Sequence, residues 1–283
     1  MQTFAHMEPD DYPYPHLKEI YLDFTNWKNW DTVKPEGIIT GCDWKMQTMI
    51  PWWWKHFSNY NSLPVTFIDM GLSDAMRRFC ESKGTVVKLH IPKYLLKRRI
   101  PLSEKIHPKA EKRQKLERLS YFSKPFAMLK TPYQHTVWID IDCQVQAPLS
   151  QLFDYCEGQI ALTPMSPYKQ KNPTQQEAMP SDKVLYNSGV ICFKRGEPLM
   201  HDWAVASVCR EKWYFGDQDI LNALIYEQKT KVTSLPNTYN WIVKEWGSNP
   251  NAKVVHYAGL GRWYDHDSFS KFKIRLPKKP YHW

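Results

Sequence analysis

No glycine-rich phosphate loop occurs in the 283 residues: neither G-x-G-x-x-G nor G-x-x-x-x-G-K-[ST] is present. Such a loop cradles phosphates on its backbone N–H groups. A dinucleotide-binding Rossmann enzyme and a P-loop ATPase are therefore not expected. The six cysteines (Cys42, Cys80, Cys143, Cys156, Cys192 and Cys209) include no C-x-x-C pair, which removes support for a zinc or dithiol redox motif. Several sit in apolar segments, as small buried hydrophobes do, and the usage points to a reducing compartment. The N-terminal M-Q-T-F-A-H-M-E-P-D-D-Y is acidic and has no apolar h-region, so no signal peptide is expected. No apolar run is long enough to cross a bilayer. A cytoplasmic protein, placed at most at the inner face of a membrane, is the expectation. Internal repeats and low-complexity segments are also missing.

What is present describes a globular chain, 42% hydrophobic and 24% charged. Aromatics make up 14%, enough to fill a core or to build stacking surfaces. The net charge is +9, and a basic surface favours polyanions: nucleic acid, anionic lipid or phosphorylated substrates. The excess is concentrated in two places. Residues 91–120 are rich in Lys and Arg and hold only Glu104, Glu111 and Glu117 as acids. The end, F-S-K-F-K-I-R-L-P-K-K-P-Y-H-W, has no acid. RRM, KH, zinc-finger and helix-turn-helix signatures do not occur, so nucleic acid is not an expected partner.

Apolar patterning gives strands over 37–43, 65–71, 85–91, 136–142, 159–165, 184–193 and 252–259. Helices fall near 46–57, over 74–83, around 110–130 and through 198–228. Ser73 is placed to cap the helix at 74, and Gly84 to end it. Strands alternating with helices predict an α/β fold, with a mostly parallel central sheet and flanking helices in a single domain. Residues 1–35 read as an extension packed on that domain.

T-V-W-I-D-I-D ends an apolar run with Asp140 and Asp142 one residue apart. Two other D-x-D pairs, Asp217/Asp219 and Asp265/Asp267, do not follow an apolar strand. Alternation puts Asp140 and Asp142 on one side of their strand, about 6–7 Å apart, at the carboxyl end where open α/β sheets bind ligands. Like charges so close call for a cation. The pair is either a solvated strand end or the oxygen donors of Mg²⁺ or Mn²⁺, and an added imidazole tilts the choice towards Mn²⁺.

The D-I-D pair is followed by Y-N-S-G-V-I-C-F, F-G-D-Q-D-I-L-N and V-V-H-Y-A-G-L-G-R. This succession resembles the family 8 glycosyltransferases, over roughly residues 37–262 by motif order. The resemblance implies a GT-A fold, a Rossmann-like sheet, and retaining transfer of a hexose from a UDP-sugar. It implies Mn²⁺, with Mg²⁺ second, held by Asp140, Asp142 and His256, and Ile141 lies between the two acids. It assigns Thr40, Gly41, Cys42 and Asp43 to the uracil and ribose; a tight strand-to-helix turn would use the same residues. Asn187, Ser188 and Gly189 line the donor sugar, although a buried hairpin turn reads alike. Asp217 meets sugar hydroxyls, or caps the helix that follows. Gln218 sits near the anomeric carbon. Lys124, sixteen positions before Asp140, reaches the donor, the alternative being a solvated helix lysine.

Gly259 and Arg262 belong to the closing loop. Here H-Y-A-G-L-G-R-W-Y departs from the family's H-x-x-G-x-x-K-P-W by losing the proline and exchanging Lys for Arg, which grips phosphate in bidentate fashion. Tyr214 and Phe215 stand where the family often has an acid. On the same grounds, 36–262 form the GT-A domain and 263–283 a basic, aromatic tail. The tail is read either as an anchor on anionic lipid or as a solubilising extension. The acceptor is a glycan, a lipid or a protein. Competing readings are a family member that binds nucleotide-sugar without transferring it, and a metal-dependent phosphohydrolase using the same carboxylates.

Overall fold

The computed structural model describes residues 32–89, 122–166, 183–209 and 216–258. Residues 1–31 of the expected extension, all of the 91–120 basic stretch, the first part of the helix expected around 110–130, Tyr214, Phe215, Gly259, Arg262 and the tail lie outside them.

The strands are β1 (Lys34–Cys42), β2 (Val65–Asp69), β3 (Thr85–Lys88), β4 (Tyr133–Ile139), β5 (Cys143–Val145), β6 (Ile160–Pro164), β7 (Tyr186–Lys194), β8 (Val232–Ser234), β9 (Trp241–Ile242) and β10 (Val254–His256). Seven form one sheet in the order β3-β2-β1-β4-β7-β6-β8. All its pairings are parallel except the two made by β7, which runs against its neighbours. The remaining three form a small sheet, β5-β10-β9.

Alternation along the strands fills both faces of the large sheet. Ile39, Ile68 and Trp138 face one core with Phe126, Met128, Trp203 and Leu221. Ile38, Phe67 and Val137 face the other with Trp53, Phe57, Met76 and Phe153. Helix α1 (Ile50–Ser58), with proline in its first turn, and α2 (Asp74–Glu81) cover the second face. Ser73 caps α2 as expected, its side chain accepting from Met76 N at 3.3 Å. Helical residues 122–128 (α3), α4 (Pro198–Cys209) and α5 (Asp217–Glu227) cover the first face. A short α6 (Val243–Trp246) follows β9.

Strand β4 starts and stops three residues earlier than the expected 136–142. Tyr133 belongs inside: it is fully buried and its hydroxyl meets Thr66 Oγ1 at 2.8 Å. Asp140 and Asp142 cannot be buried in a ladder without cost. They fall in the turn between β4 and β5, closed by Cys143 N donating to Asp140 O at 3.0 Å. The carboxylates therefore converge through a turn and not through strand alternation. The expected 198–228 helix is two helices, and the expected strand 252–259 is reduced to β10 in the small sheet.

In the large sheet, β1 to β3 step outwards one way and β4 lies on the other side of β1. Chain order reverses there, and the loops leaving the carboxyl ends of β1 and β4 flank the crevice such reversals create.

Candidate functional site

The D-I-D turn joins the two sheets. Asp140 N donates to Gly189 O at 2.8 Å, and Tyr257 N donates to Asp142 O at 3.1 Å. The turn is thus tied to β7 on one side and to the chain leaving β10 on the other. β10 pairs with β5 in the register His256↔Cys143, which carries the buried His256 ring to the carboxylates. His256 Nε2 lies 3.3 Å from Asp142 Oδ1 and 3.9 Å from Asp140 Oδ2. Burial alone would favour neutral groups here. The pairing overcomes it: His256 is raised from its ordinary range, and Asp142 is lowered.

Lys124, from α3, is buried and not a solvated helix lysine. Its ammonium lies 2.8 and 3.1 Å from the two Asp140 oxygens, 3.2 Å from Ser188 Oγ and 5.7 Å from the Trp138 ring centroid. Burial pulls its pKa down, but Asp140 and Asp217 outweigh that and hold it above the usual lysine range. Trp138 Nε1 donates to Asp140 Oδ1 at 2.6 Å. Asp140 is therefore oriented from two sides.

Asp217 starts α5. Gly216 takes the N-cap position, and its N–H donates to Asp219 Oδ2 at 3.1 Å, so Asp217 is not the cap. Its backbone oxygen accepts from Trp203 Nε1 at 2.8 Å. Its Oδ2 is buried with no hydrogen-bond partner among the described residues. Burial pushes the carboxyl up to about 7, against the pull of Lys124. Gln218 Oε1 accepts from Asn187 Nδ2 at 2.9 Å and Ser188 N at 3.1 Å, which locks the amide onto the start of β7. Asn222, one turn on, accepts from Tyr186 N at 2.7 Å and donates to Tyr186 O and Gln218 O, each at 2.9 Å.

Gly189 has a specific reason to be glycine. A Cβ there would overlap the His256 ring, so what approaches its backbone is the imidazole. Asn240, which sequence reasoning passed over, is fully buried and lies 2.8 Å from His256 Nδ1 and 2.9 Å from Asn187 Oδ1. The sequence marks it only as the second of two asparagines in the P-N-T-Y-N-W loop.

The T-G-C-D residues sit at the end of β1, beside this turn in the sheet. Thr40 is buried with its Oγ1 unpartnered among the described residues, and Cys42 is packed in the core with burial pushing its thiol up. Gly41 allows close approach of Ile68 on β2. Asp43 Oδ1 accepts from Lys45 N at 2.9 Å and Met46 N at 3.3 Å, closing the turn after the strand.

Carboxylate oxygens and a ring nitrogen are the donor types a divalent cation takes. Two ligands held at right angles at about 2.1 Å stand about 3 Å apart. The 3.3 Å contact of His256 Nε2 with Asp142 is near that spacing, whereas Asp140, held by Lys124, stands farther off at 3.9 Å. Cys143 also lies within 4.8 Å of Asp142 and His256. Burial pushes its thiol well above the ordinary range, and its soft sulfur suits Mg²⁺ or Mn²⁺ less well than oxygen does. A surface groove of about 430 Å³, lined by Glu157, Lys194 and Lys231 among others, is at the opposite end of the strands. Lys194 pairs with His135, near the start of β4. The groove takes no part in this arrangement.

The model of glycosyl transferase family 8 matches residues 75–263, well over half of the chain. No curated protein matches the sequence. Among solved structures, the galactosyltransferase LgtC with donor and acceptor sugar analogues superposes with a TM-score of 0.60 at 14% identity, covering 86% of this chain and 98% of that one. The glycosyltransferase GlyE of Streptococcus pneumoniae TIGR4 gives 0.55 at 15%, over 85% of this chain and 60% of its own. The bifunctional glycosyltransferase WbbM gives 0.54 at 16%, over 86% and 50%.

Proposed function

The chain belongs to glycosyl transferase family 8, and from that premise we propose that it moves a hexose, glucose or galactose, from a UDP-sugar to a glycan, lipid or protein acceptor with retention. The observation that carries this reading is the convergence of Asp140, Asp142 and His256, from a turn and a distant strand, at the point where strand order reverses. These three would hold Mn²⁺, or Mg²⁺ in its place. Bound there, the cation supplies positive charge against that growing on the departing diphosphate.

The chain's own groups have further parts in this proposal. Lys124 orients Asp140 and leaves a buried positive charge beside the diphosphate position. Asp217, its carboxyl pushed up by burial to about 7, can donate to or accept from a donor-sugar hydroxyl. Gln218 and Asn187 shape the floor on which the sugar rests, with Ser188 and Gly189. Thr40, Gly41, Cys42 and Asp43 border the nucleoside side. Gly259 and Arg262, beyond the described residues, complete the diphosphate side. Residues 36–262 form the catalytic domain. The basic tail, 263–283, places it on anionic lipid.

UDP release from UDP-glucose and UDP-galactose, with and without Mn²⁺, tests the reading. The wild-type protein turns over one of the two only with the cation. Asp142→Asn abolishes turnover and leaves the circular dichroism spectrum unchanged. Full activity of Asp142→Asn, or of wild type in excess chelator, rejects the proposed metal-dependent reaction. Nucleotide binding without release would instead mark a binding protein that does not transfer.

A further inference from the structure

Asn240 lies between the turn Asn237–Tyr239 and β9, buried behind the metal-facing side of His256. Its amide joins a series of side chains whose orientations can be worked out from two backbone N–H groups. Gly189 N is 2.8 Å from Asn187 Oδ1. A backbone N–H only donates, so the Asn187 atom facing it is the carbonyl oxygen. Ser188 N, 3.1 Å from Gln218 Oε1, fixes the glutamine in the same way. Asn187 then points its NH₂ at Gln218 and its oxygen at Asn240, 2.9 Å from each partner.

An acceptor facing Asn240 requires a donor in return. Asn240 therefore turns its NH₂ to Asn187 and its oxygen to the imidazole, 2.8 Å from Nδ1. An amide oxygen only accepts, so Nδ1 carries a hydrogen. In the neutral ring, the hydrogen on Nδ1 leaves Nε2 with its lone pair free. Nε2 is the atom that faces Asp142 and Asp140. Gly189, packed against the ring, holds its plane.

We propose that Asn240 is a positioning residue: braced by Asn187, it fixes His256 as the Nδ1–H tautomer and presents a bare Nε2 to the carboxylate turn. The functional consequence rests on the reading of this turn as a cation site; the tautomer follows from the hydrogen bonds alone. Partners of this kind fix ring orientation at metal-binding histidines, and losing one weakens metal affinity about 10- to 100-fold.

Two measurements on the full chain test this. The first is a long-range ¹H–¹⁵N correlation spectrum of ¹⁵N-histidine-labelled, chelator-treated protein, at a pH where the ring is neutral. His256 is assigned by the signals lost in His256→Gln. Wild type is expected to show the Nδ1–H pattern, and an Nε2–H pattern overturns the proposal whatever any variant does. The second is a Mn²⁺ titration followed by the EPR signal of the free ion. Asn240→Leu is expected to bind about 10- to 100-fold more weakly. Asn240→Asp, which keeps an oxygen for Nδ1–H, is expected to retain most of the affinity. Equal affinity in wild type and Asn240→Leu overturns the proposal, and if Asn240→Leu does not fold the wild-type spectrum decides. A wild type that shows the Nδ1–H pattern and binds no Mn²⁺ would sink the cation reading and support the tautomer assignment.

Discussion

Lys124 and Asp217 are both buried within reach of one carboxylate turn, and burial affects them unequally. Lys124 has Asp140 in direct contact and stays charged. Asp217 has one oxygen without a partner, and desolvation dominates, raising it from 3.8 to about 7. The native state thus holds a proton on Asp217 between those values where the unfolded chain has released it. The stability from this group is full below about 4 and is lost as pH rises through 7. Urea unfolding of chelator-treated protein at pH 5 and pH 8 checks this. Wild type should lose more stability across that interval than Asp217→Asn, which carries no such proton. Identical losses would mean that Asp217 is ionised throughout.

At the scale of elements, α5 and β7 are joined by Asn222, whose amide makes three hydrogen bonds to the backbone of Tyr186 and Gln218. Asn222→Leu keeps the approximate size and removes all three. Unpartnered buried groups cost about 1–3 kcal/mol, so a loss of that order is expected in the urea unfolding free energy. A change below about 0.5 kcal/mol, typical of an unimportant surface position, would show that the bonds contribute nothing. This junction was only half legible in the sequence. The apolar runs in V-L-Y-N-S-G-V-I-C-F mark β7 as a strand, but such runs carry no direction, and the antiparallel run of β7 comes from tertiary pairing. The Asp140/Asp142 pair was visible as a motif. Its turn was not, since the alternating I-D-I-D carries the strand pattern on to its last residue. Strands β5, β9 and β10 have two or three residues each, too few to show a period. The V-V-H motif nevertheless marked His256, whereas Asn240 is an ordinary loop residue until its contacts are known.

For the molecule as a whole, the described residues contain no helix long and apolar enough to cross a membrane. The net charge of +9 bears instead on surface attraction. Each Lys or Arg near an anionic leaflet contributes about 1 kcal/mol, and the tail carries Lys271, Lys273, Arg275, Lys278 and Lys279. Flotation with phosphatidylserine vesicles should recover the full chain at low salt and much less of it after deletion of 263–283. Raising the salt should weaken the full chain's association, because screening shortens the reach of exposed charge. Equal recovery of both proteins would remove the tail from membrane contact.

The placement of His256 on the last described strand has a consequence for biosynthesis. A ribosome delivers the two acids of the turn while β6 to β10 are still unmade, and folding can begin from the N-terminal side as the chain emerges. Until β10 pairs with β5, the turn offers its two carboxylates without His256 beside them. Under the proposed cation reading, capture at this turn would wait until β10 has been made and paired, because His256 arrives only with that strand.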